Sequence, residues 1–471
     1  MTLRERNAYM SLPHIKIDNS LNIIIVGCGN IGENLAEQLN EPGNNVTVVD
    51  LSPERVRAVS ERYDVMGVAG NGATYATQLE AGVEKADLLI AVTGSDELNL
   101  LCCLLAQKKG HCRTIACVES SEYGTETEYF KEELGLAMII NPKRAAAEEI
   151  RRVLRFPSAM KIDTFAGGRV ELVKFRLPER SPLVGMSVRE VVSSLHCDVL
   201  ICTVEREDAA YIAKGDFVFA GKDVISLVAS PKNAADFFSK IMYRTHSVRS
   251  AMIAGGGQIT RYLCEMLHED GVSVKILEEQ AETCEELTAR YPYARVIHTN
   301  AGDQETLLEE GLESIGAFVA LTNSDEENIL FSLLAKRLGH GKLVTKIDRF
   351  DFSDVVDHLD LDTIVYPKNV AADMIVRYVR AMKNTIGTGV ETLYNIILDK
   401  IEASEFIVKE GAPLIGKPLA ELALKDNVLI ASILRNDKVI IPRGQNTIEA
   451  GDRVVFVTEM MALHDISDVL R

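Results

Sequence analysis

The chain is written twice. Residues 87–99 read DLLIAVTGSDELN and residues 316–328 read GAFVALTNSDEEN. NIIIVGCGNIGENLAEQL at 22–39 is answered by SAMIAGGGQITRYLCEML at 250–267, and NPKRAAAEEIRRVL at 141–154 by YPKNVAADMIVRYV at 366–379. SPLVG at 181–185 pairs with APLIG at 412–416, and VLICTVEREDAAYIAKGD at 199–216 with VLIASILRNDKVIIPRGQ at 428–445. The order never changes and the spacing stays near 230 residues, so the chain is a tandem duplication of one unit of about that length. Whatever one half folds into, the other half must also fold into.

Each unit has two parts. In the first, short apolar runs (NIIIVG, VTVVD, DLLIAVT, TIACVE) alternate with helical patterns. That alternation predicts a Rossmann-like, doubly wound parallel sheet with helices on both faces. In the second, ELVKFRL, VLICTVER, AAYIA and DVISLVA are short strands separated by polar turns, with a helix at SVREVVSSL. That pattern predicts a small α+β domain. The expected order is an N-terminal extension over 1–20, a large domain over 21–141, a linking helix over 142–158, and a small domain over 159–240. A second large domain at 248–366, a linking helix at 367–385 and a small domain at 390–471 follow.

Composition removes several function classes. With 51 Lys and Arg against 69 Asp and Glu, the net charge is −18. A nucleic-acid interface runs on positive charge and is disfavoured. No apolar run approaches the roughly 18 residues that span a bilayer. The nine cysteines include no C-x-x-C pair and several sit inside apolar runs, as in LLCCLLA. Buried reduced thiols fit this better than disulfides or zinc ligands.

Gly27, Gly29 and Gly32 form G-x-G-x-x-G between a strand and a helix, with Cys28, Asn30 and Ile31 filling the loop. A Cβ on the first two glycines would obstruct the tight turn and the approach of a pyrophosphate, while the helix N-terminus offers free N–H groups. Asp50 ends the next strand, where a carboxylate accepts from ribose hydroxyls and repels a 2′-phosphate. This favours NAD or an adenosine nucleotide over NADP. The competing reading is a tight turn beside an unrelated surface acid. In the second copy Gly255, Gly256 and Gly257 keep the turn, with Gln258 and Ile259 next, but Thr260 stands where Gly32 was; Glu278 matches Asp50. Asn71, Thr93 and Gly94 fall at the carboxyl ends of strands, on the ligand-binding edge of such sheets. Ser95 and Ser324 read as helix caps. His111 and His340, each after a glycine, read as C-terminal caps.

A dehydrogenase needs a proton donor beside the nicotinamide. No Y-x-x-x-K pair occurs, and no Ser/His/Asp or Cys/His arrangement carries a local signature. A sensing protein is therefore favoured over an NAD-dependent oxidoreductase, with a ligand-free scaffold as the third reading.

IVGCGNIG, Asp50, V-T-G-S-D-E-L-N and a following S-P-L-V-G together resemble the RCK (regulator of K+ conductance) family, over about residues 21–471. The tandem arrangement is similar to that of the peripheral subunits of bacterial Trk potassium-uptake systems. The resemblance implies a non-enzymatic regulatory subunit, a homo-oligomer (dimer or tetramer) at the cytoplasmic face of the inner membrane. Its partner would be a membrane potassium-translocating subunit, and NAD(H), with ATP or ADP, its gating ligands. It carries the cofactor role to Gly27 through Ile31, Asp50, Asn71, Thr93 and Gly94, and by the repeat to Gly255 through Ile259 and Glu278. Where family members often have a basic residue after the fifth strand, this chain has Glu119, and Asp348 in the second copy. Glu119 is expected at the cleft, where a carboxylate near a pyrophosphate is unfavourable unless it contacts sugar hydroxyls instead.

Overall fold

The computed structural model describes residues 20–40, 44–120, 127–155, 159–165, 168–207, 209–241, 248–339, 341–348, 359, 361–385, 390–397, 401–436, 438–459 and 466–471. Residues 1–19, read above as an extension, and His340 lie outside them.

The first large sheet contains β1 (Leu21–Val26), β2 (Asn44–Asp50), β3 (Met66–Ala69), β4 (Leu88–Ala91), β5 (Arg113–Cys117) and β6 (Met138–Ile140). All pairings are parallel and the order is β3-β2-β1-β4-β5-β6. The strands are nearly continuous apolar runs because helices cover both faces. The strand order reverses between β1 and β4, which opens a crevice at their carboxyl ends. The helices start where capping chemistry allows. Ser52 accepts from the Arg55 amide with Pro53 next, and Ser95 accepts from the Leu98 amide at 3.2 Å. His111 ends the second of these helices in the left-handed region at φ 55°.

The first small sheet holds β7 (Ala159–Phe165), β8 (Val170–Arg176), β9 (Val199–Arg206), β10 (Ala209–Ile212) and β11 (Val224–Ala229), antiparallel in the order β10-β9-β11-β8-β7. Besides the helix at Val188–Leu195, with its Ser187 capping box, a helix at Pro231–Lys240 covers this sheet.

The second unit repeats both. Strands β12 (Ser250–Ala254), β13 (Ser273–Glu278), β14 (Arg295–His298), β15 (Ala317–Ala320), β16 (Lys342–Lys346) and β17 (Ile364–Val365) form a parallel sheet ordered β14-β13-β12-β15-β16-β17. Strands β18 (Val390–Ile397), β19 (Ile401–Ile407), β20 (Val428–Arg435), β21 (Lys438–Ile440) and β22 (Arg453–Glu459) form an antiparallel sheet ordered β18-β19-β22-β20-β21. The two small sheets share a core, in which Leu172, Cys202 and Val228 pack with Ala403, Ala431 and Val455.

The linking helices determine how the halves meet. Helix Pro142–Arg155 does not lie on the sheet it follows. Its Ala146, Ala147, Ile150 and Leu154 share a core with Ile259, Leu263 and Leu267 of the second large domain. Helix Pro367–Thr385 returns the exchange, placing Ala371, Ile375 and Val379 against Ile31, Leu35 and Leu39 of the first. Polar contacts fix the register. Arg151 grips Asp270 at 2.6 and 2.7 Å, and the Asn34 amide donates to Asn369 at 3.1 Å. The crossing joins two units of one chain. Ile150 lies in an intrachain core.

Candidate functional site

The glycine loop leaves β1 through Gly27 at φ +111°, and a Cβ there would fall 2.7 Å from the carbonyl oxygen of Val92. Only glycine meets both conditions. Gly29 is the N-cap of helix Asn30–Leu39, with nothing within 4 Å of the place where a Cβ would stand. That open cradle lies over the first N–H groups of the helix, which have no partners within it. Gly32 faces inward, and a Cβ there would lie 1.8 Å from the Gly27 carbonyl oxygen. Its role is close packing of helix on turn. Asn30 and Ile31 open the helix, Ile31 turning into the core.

Asp50 braces the loop from the end of β2. One carboxylate oxygen accepts from the Cys28 amide at 2.8 Å, the other from the Ser52 amide at 2.9 Å. A carboxylate has about four lone-pair sites, so two remain for hydroxyls. Gly27, Gly29, Asp50, Asn71, Thr93 and Gly94 line one cleft of about 410 Å³, together with Leu51, Ser52, Arg55 and Leu98. The open cradle, the helix end and the spare acceptors suit a pyrophosphate joined to a ribose. Glu119 is not among the lining residues. Its carboxylate turns away to Lys143, the second residue of the crossing helix, at 2.8 Å.

The second cleft has the same construction. Gly255 sits at φ +99°, and Glu278 accepts from the Gly256 amide at 2.6 Å and the Gln280 amide at 2.8 Å. Thr260 does not spoil the loop. Its buried hydroxyl donates to the Gly255 carbonyl at 2.6 Å, so a hydrogen bond holds the turn that close packing holds in the first copy. Gly255, Gly256, Gly257, Gln258 and Glu278 line a cleft of about 530 Å³ with Asn300, Thr322 and Asn323. Ile259 is buried in the core beneath it.

Sequence reasoning passed over one residue in each copy. Asn99 and Asn328 sit inside the S-D-E-x-N stretches that had been read as helix starts. Both are fully buried. The Asn99 side chain accepts from the Thr93 amide and hydroxyl at 2.8 and 2.7 Å, and donates to the Thr93 and Cys117 carbonyls. Asn328 makes the same set to Thr322 and Lys346. Each asparagine pins the cleft wall to the neighbouring strand end. The neighbouring acids do more than favour a helix dipole. Asp96 accepts from the Glu119 and Ser120 amides, and Asp325 from the Asp348 amide. The recurrence of an asparagine four residues after each serine was the available signal.

Among the described residues no histidine, cysteine, tyrosine or lysine lines either cleft. All nine thiols are buried, and burial pushes those of Cys28 and Cys102 up to about 12. Among the described residues no His, Cys, Asp or Glu group is arranged to hold a metal, and no helix is long and apolar enough to cross a membrane.

The TrkA-N domain family matches residues 23–142 and again 251–367; the TrkA-C domain family matches 172–242 and 403–471. The chain is 31% identical to Trk system potassium uptake protein TrkA homolog 1 of Methanosarcina mazei, over 95% of this chain and 99% of that one. It is also 31% identical to Trk system potassium uptake protein TrkA of Halomonas elongata, over 95% and 98%. Its fold is that of the GsuK RCK domain, with a TM-score of 0.61 at 17% identity over 95% of this chain and 94% of that one. It aligns equally well with the GsuK channel bound to NAD, at TM-score 0.61 and 17% identity over 95% and 78%. With both domains present twice and in alternation along its length, the chain belongs to the TrkA family.

Proposed function

We propose that this protein is the regulatory subunit of a Trk-type potassium transport system. It binds nucleotides in its two glycine-loop clefts, NAD(H) and also ATP or ADP, and through them gates a membrane subunit that translocates K+. The observation that carries the reading is the joining of a nucleotide cradle to an exchanged helix. The wall of the first cleft runs from Asn99 and Asp96 to Glu119, and Glu119 is ion-paired with Lys143 at the start of the helix that packs on the second large domain. A ligand that fits one spacing of cleft wall and helix better than another shifts the balance between the two, because only differential affinity moves a conformational equilibrium. The family membership supports transport as the output.

The net charge of −18 suits docking on the basic cytoplasmic loops of a membrane protein. In this reading the chain works as a homo-oligomer at the cytoplasmic face of the inner membrane. The test is rubidium uptake in cells lacking this chain, complemented with wild type or with Gly29→Asp. The new carboxylate would occupy the pyrophosphate's place. Uptake should fall without the chain, return with wild type and escape nucleotide control with the variant. Equal uptake in all three strains would overturn the transport assignment.

A further inference from the structure

The two clefts share a frame and differ in charge. Three positions around the glycine loop change in register. Leu51 of the first cleft is replaced by Glu279 in the second, Arg55 by Thr283 and Leu98 by Glu327. The first cleft therefore sets one lining carboxylate, Asp50, against one guanidinium, Arg55. The second collects Glu278, Glu279 and Glu327. Among the described residues its one lining cation is Arg261, and that guanidinium is already gripped by both oxygens of Glu286. The nearby buried Lys346 is spent on Asp348 at 2.7 Å and the Thr322 carbonyl at 3.0 Å.

A terminal phosphate carries about −1.5 to −2 charge near neutral pH. Each phosphate of a dinucleotide is disubstituted, by one ribose ester and the shared anhydride bond, and so carries a single charge, and the oxidised nicotinamide ring is a cation. Carboxylates within a few ångströms of a phosphate raise the cost of each added negative charge.

We propose that the clefts select ligands by charge. The first accepts nucleotides with terminal phosphates as well as dinucleotides. The second is restricted by Glu279 and Glu327 to a dinucleotide, which has no terminal phosphate. One chain then reads the adenylate and nicotinamide pools through separate clefts. This rests on the reading that both clefts bind nucleotides.

Single-cleft variants test it in the full-length chain. At Gly29 and Gly257 an added Cβ meets nothing within 4 Å, both residues have ordinary φ, and both are helix N-caps, a place that aspartate favours. Gly257→Asp leaves the first cleft open and Gly29→Asp the second. Calorimetry with ATP and with NAD in divalent-free buffer should find ATP bound at least about tenfold more weakly by Gly29→Asp than by Gly257→Asp, with NAD bound by both. Adding Glu279→Gln and Glu327→Gln to Gly29→Asp should recover about tenfold in ATP affinity while changing NAD affinity much less. In the wild type, Arg55→Gln should weaken the tighter ATP site and spare NAD. Equal ATP affinity in the two single-cleft variants, or no response to the glutamines, overturns charge selection while leaving nucleotide binding intact. Loss of both ligands from wild type and variants alike overturns the nucleotide reading itself, and this inference with it.

Discussion

The carboxylate of Asp50 accepts the amide hydrogen of Cys28 at 2.8 Å, tying the end of one strand to the middle of the glycine loop that leaves its neighbour. Glu278 does the same for Gly256 at 2.6 Å. The acid proposed to meet a ribose also shapes the turn proposed to meet the phosphates.

Asp50→Ala is therefore expected to act twice. It strips acceptors from the Cys28 and Ser52 amides, costing about 1–3 kcal/mol of stability, and weakens NAD binding by about 1.5–3 kcal/mol. Urea unfolding and calorimetry on the same preparations separate the two effects. An unchanged NAD affinity in a folded variant removes Asp50 from the site.

The two loops should respond unequally to the same residue. Gly32→Ala puts a Cβ 1.8 Å from the Gly27 carbonyl oxygen, so the helix must shift and both stability and ligand binding drop. Thr260→Ala loses only the 2.6 Å bond to the Gly255 carbonyl, a loss of about 1 kcal/mol. Melting curves of the two variants give the comparison, and a larger loss from Thr260→Ala contradicts it.

Asn99→Ala leaves the Thr93 amide and hydroxyl and the Cys117 carbonyl without their buried partner. A loss of about 1–3 kcal/mol is expected, with faster hydrogen exchange at the Thr93 amide. Unaltered exchange there would mean that the cleft wall is held by something else.

Ile150→Ala should cost about 2–5 kcal/mol, because the side chain is fully buried between its own helix and the second large domain. Ile150→Asp should unfold the chain rather than yield a smaller folded particle. Light scattering alongside far-UV spectra decides this, and a folded variant of reduced mass would move Ile150 to a contact between chains.

The thiols give a pH test. The native-state pKa of Cys28 and Cys102 is about 12 against an ordinary value of 9.0, with burial the first cause in each. For a group raised on folding, stability is fully present below the unfolded pKa and is lost as pH rises toward the folded one. The chain should hold its stability to about pH 9 and lose it between there and about pH 12. At pH 8 a thiol reagent should react slowly with the native chain and reach all nine cysteines only in denaturant. Rapid native labelling of Cys28 would contradict its burial.

Much of this fold could be read in the residues, because duplication checks every assignment twice. Both sheets of each unit, the turn at Gly27 and the acid at Asp50 follow from patterns with direct physical causes. What escaped did so for particular reasons. The stripe Ile150, Val153, Leu154 says that one face of a helix is buried but not which domain covers it. Asn99 escaped because its partners, Thr93 just past β4 and Cys117 at the end of β5, are far from each other in sequence. The family resemblance fixes a backbone position for Glu119 but not the way its carboxylate turns toward Lys143. Thr260 read as a defect until its hydroxyl was seen to close the same turn.

The exchanged helices also order events during synthesis. When the first large domain emerges from the ribosome, the groove formed by Ile31, Leu35 and Leu39 has no cover, since Ile375 and Val379 arrive only after the second large domain has been made. Helix Pro142–Arg155 must likewise wait with Ile150 bare. The nascent half-chain therefore carries open apolar surface through much of translation, the condition under which chains aggregate or pair with a neighbour's half. The same gap makes a truncated copy a potential poison, because a free first half can capture the second half of an intact one.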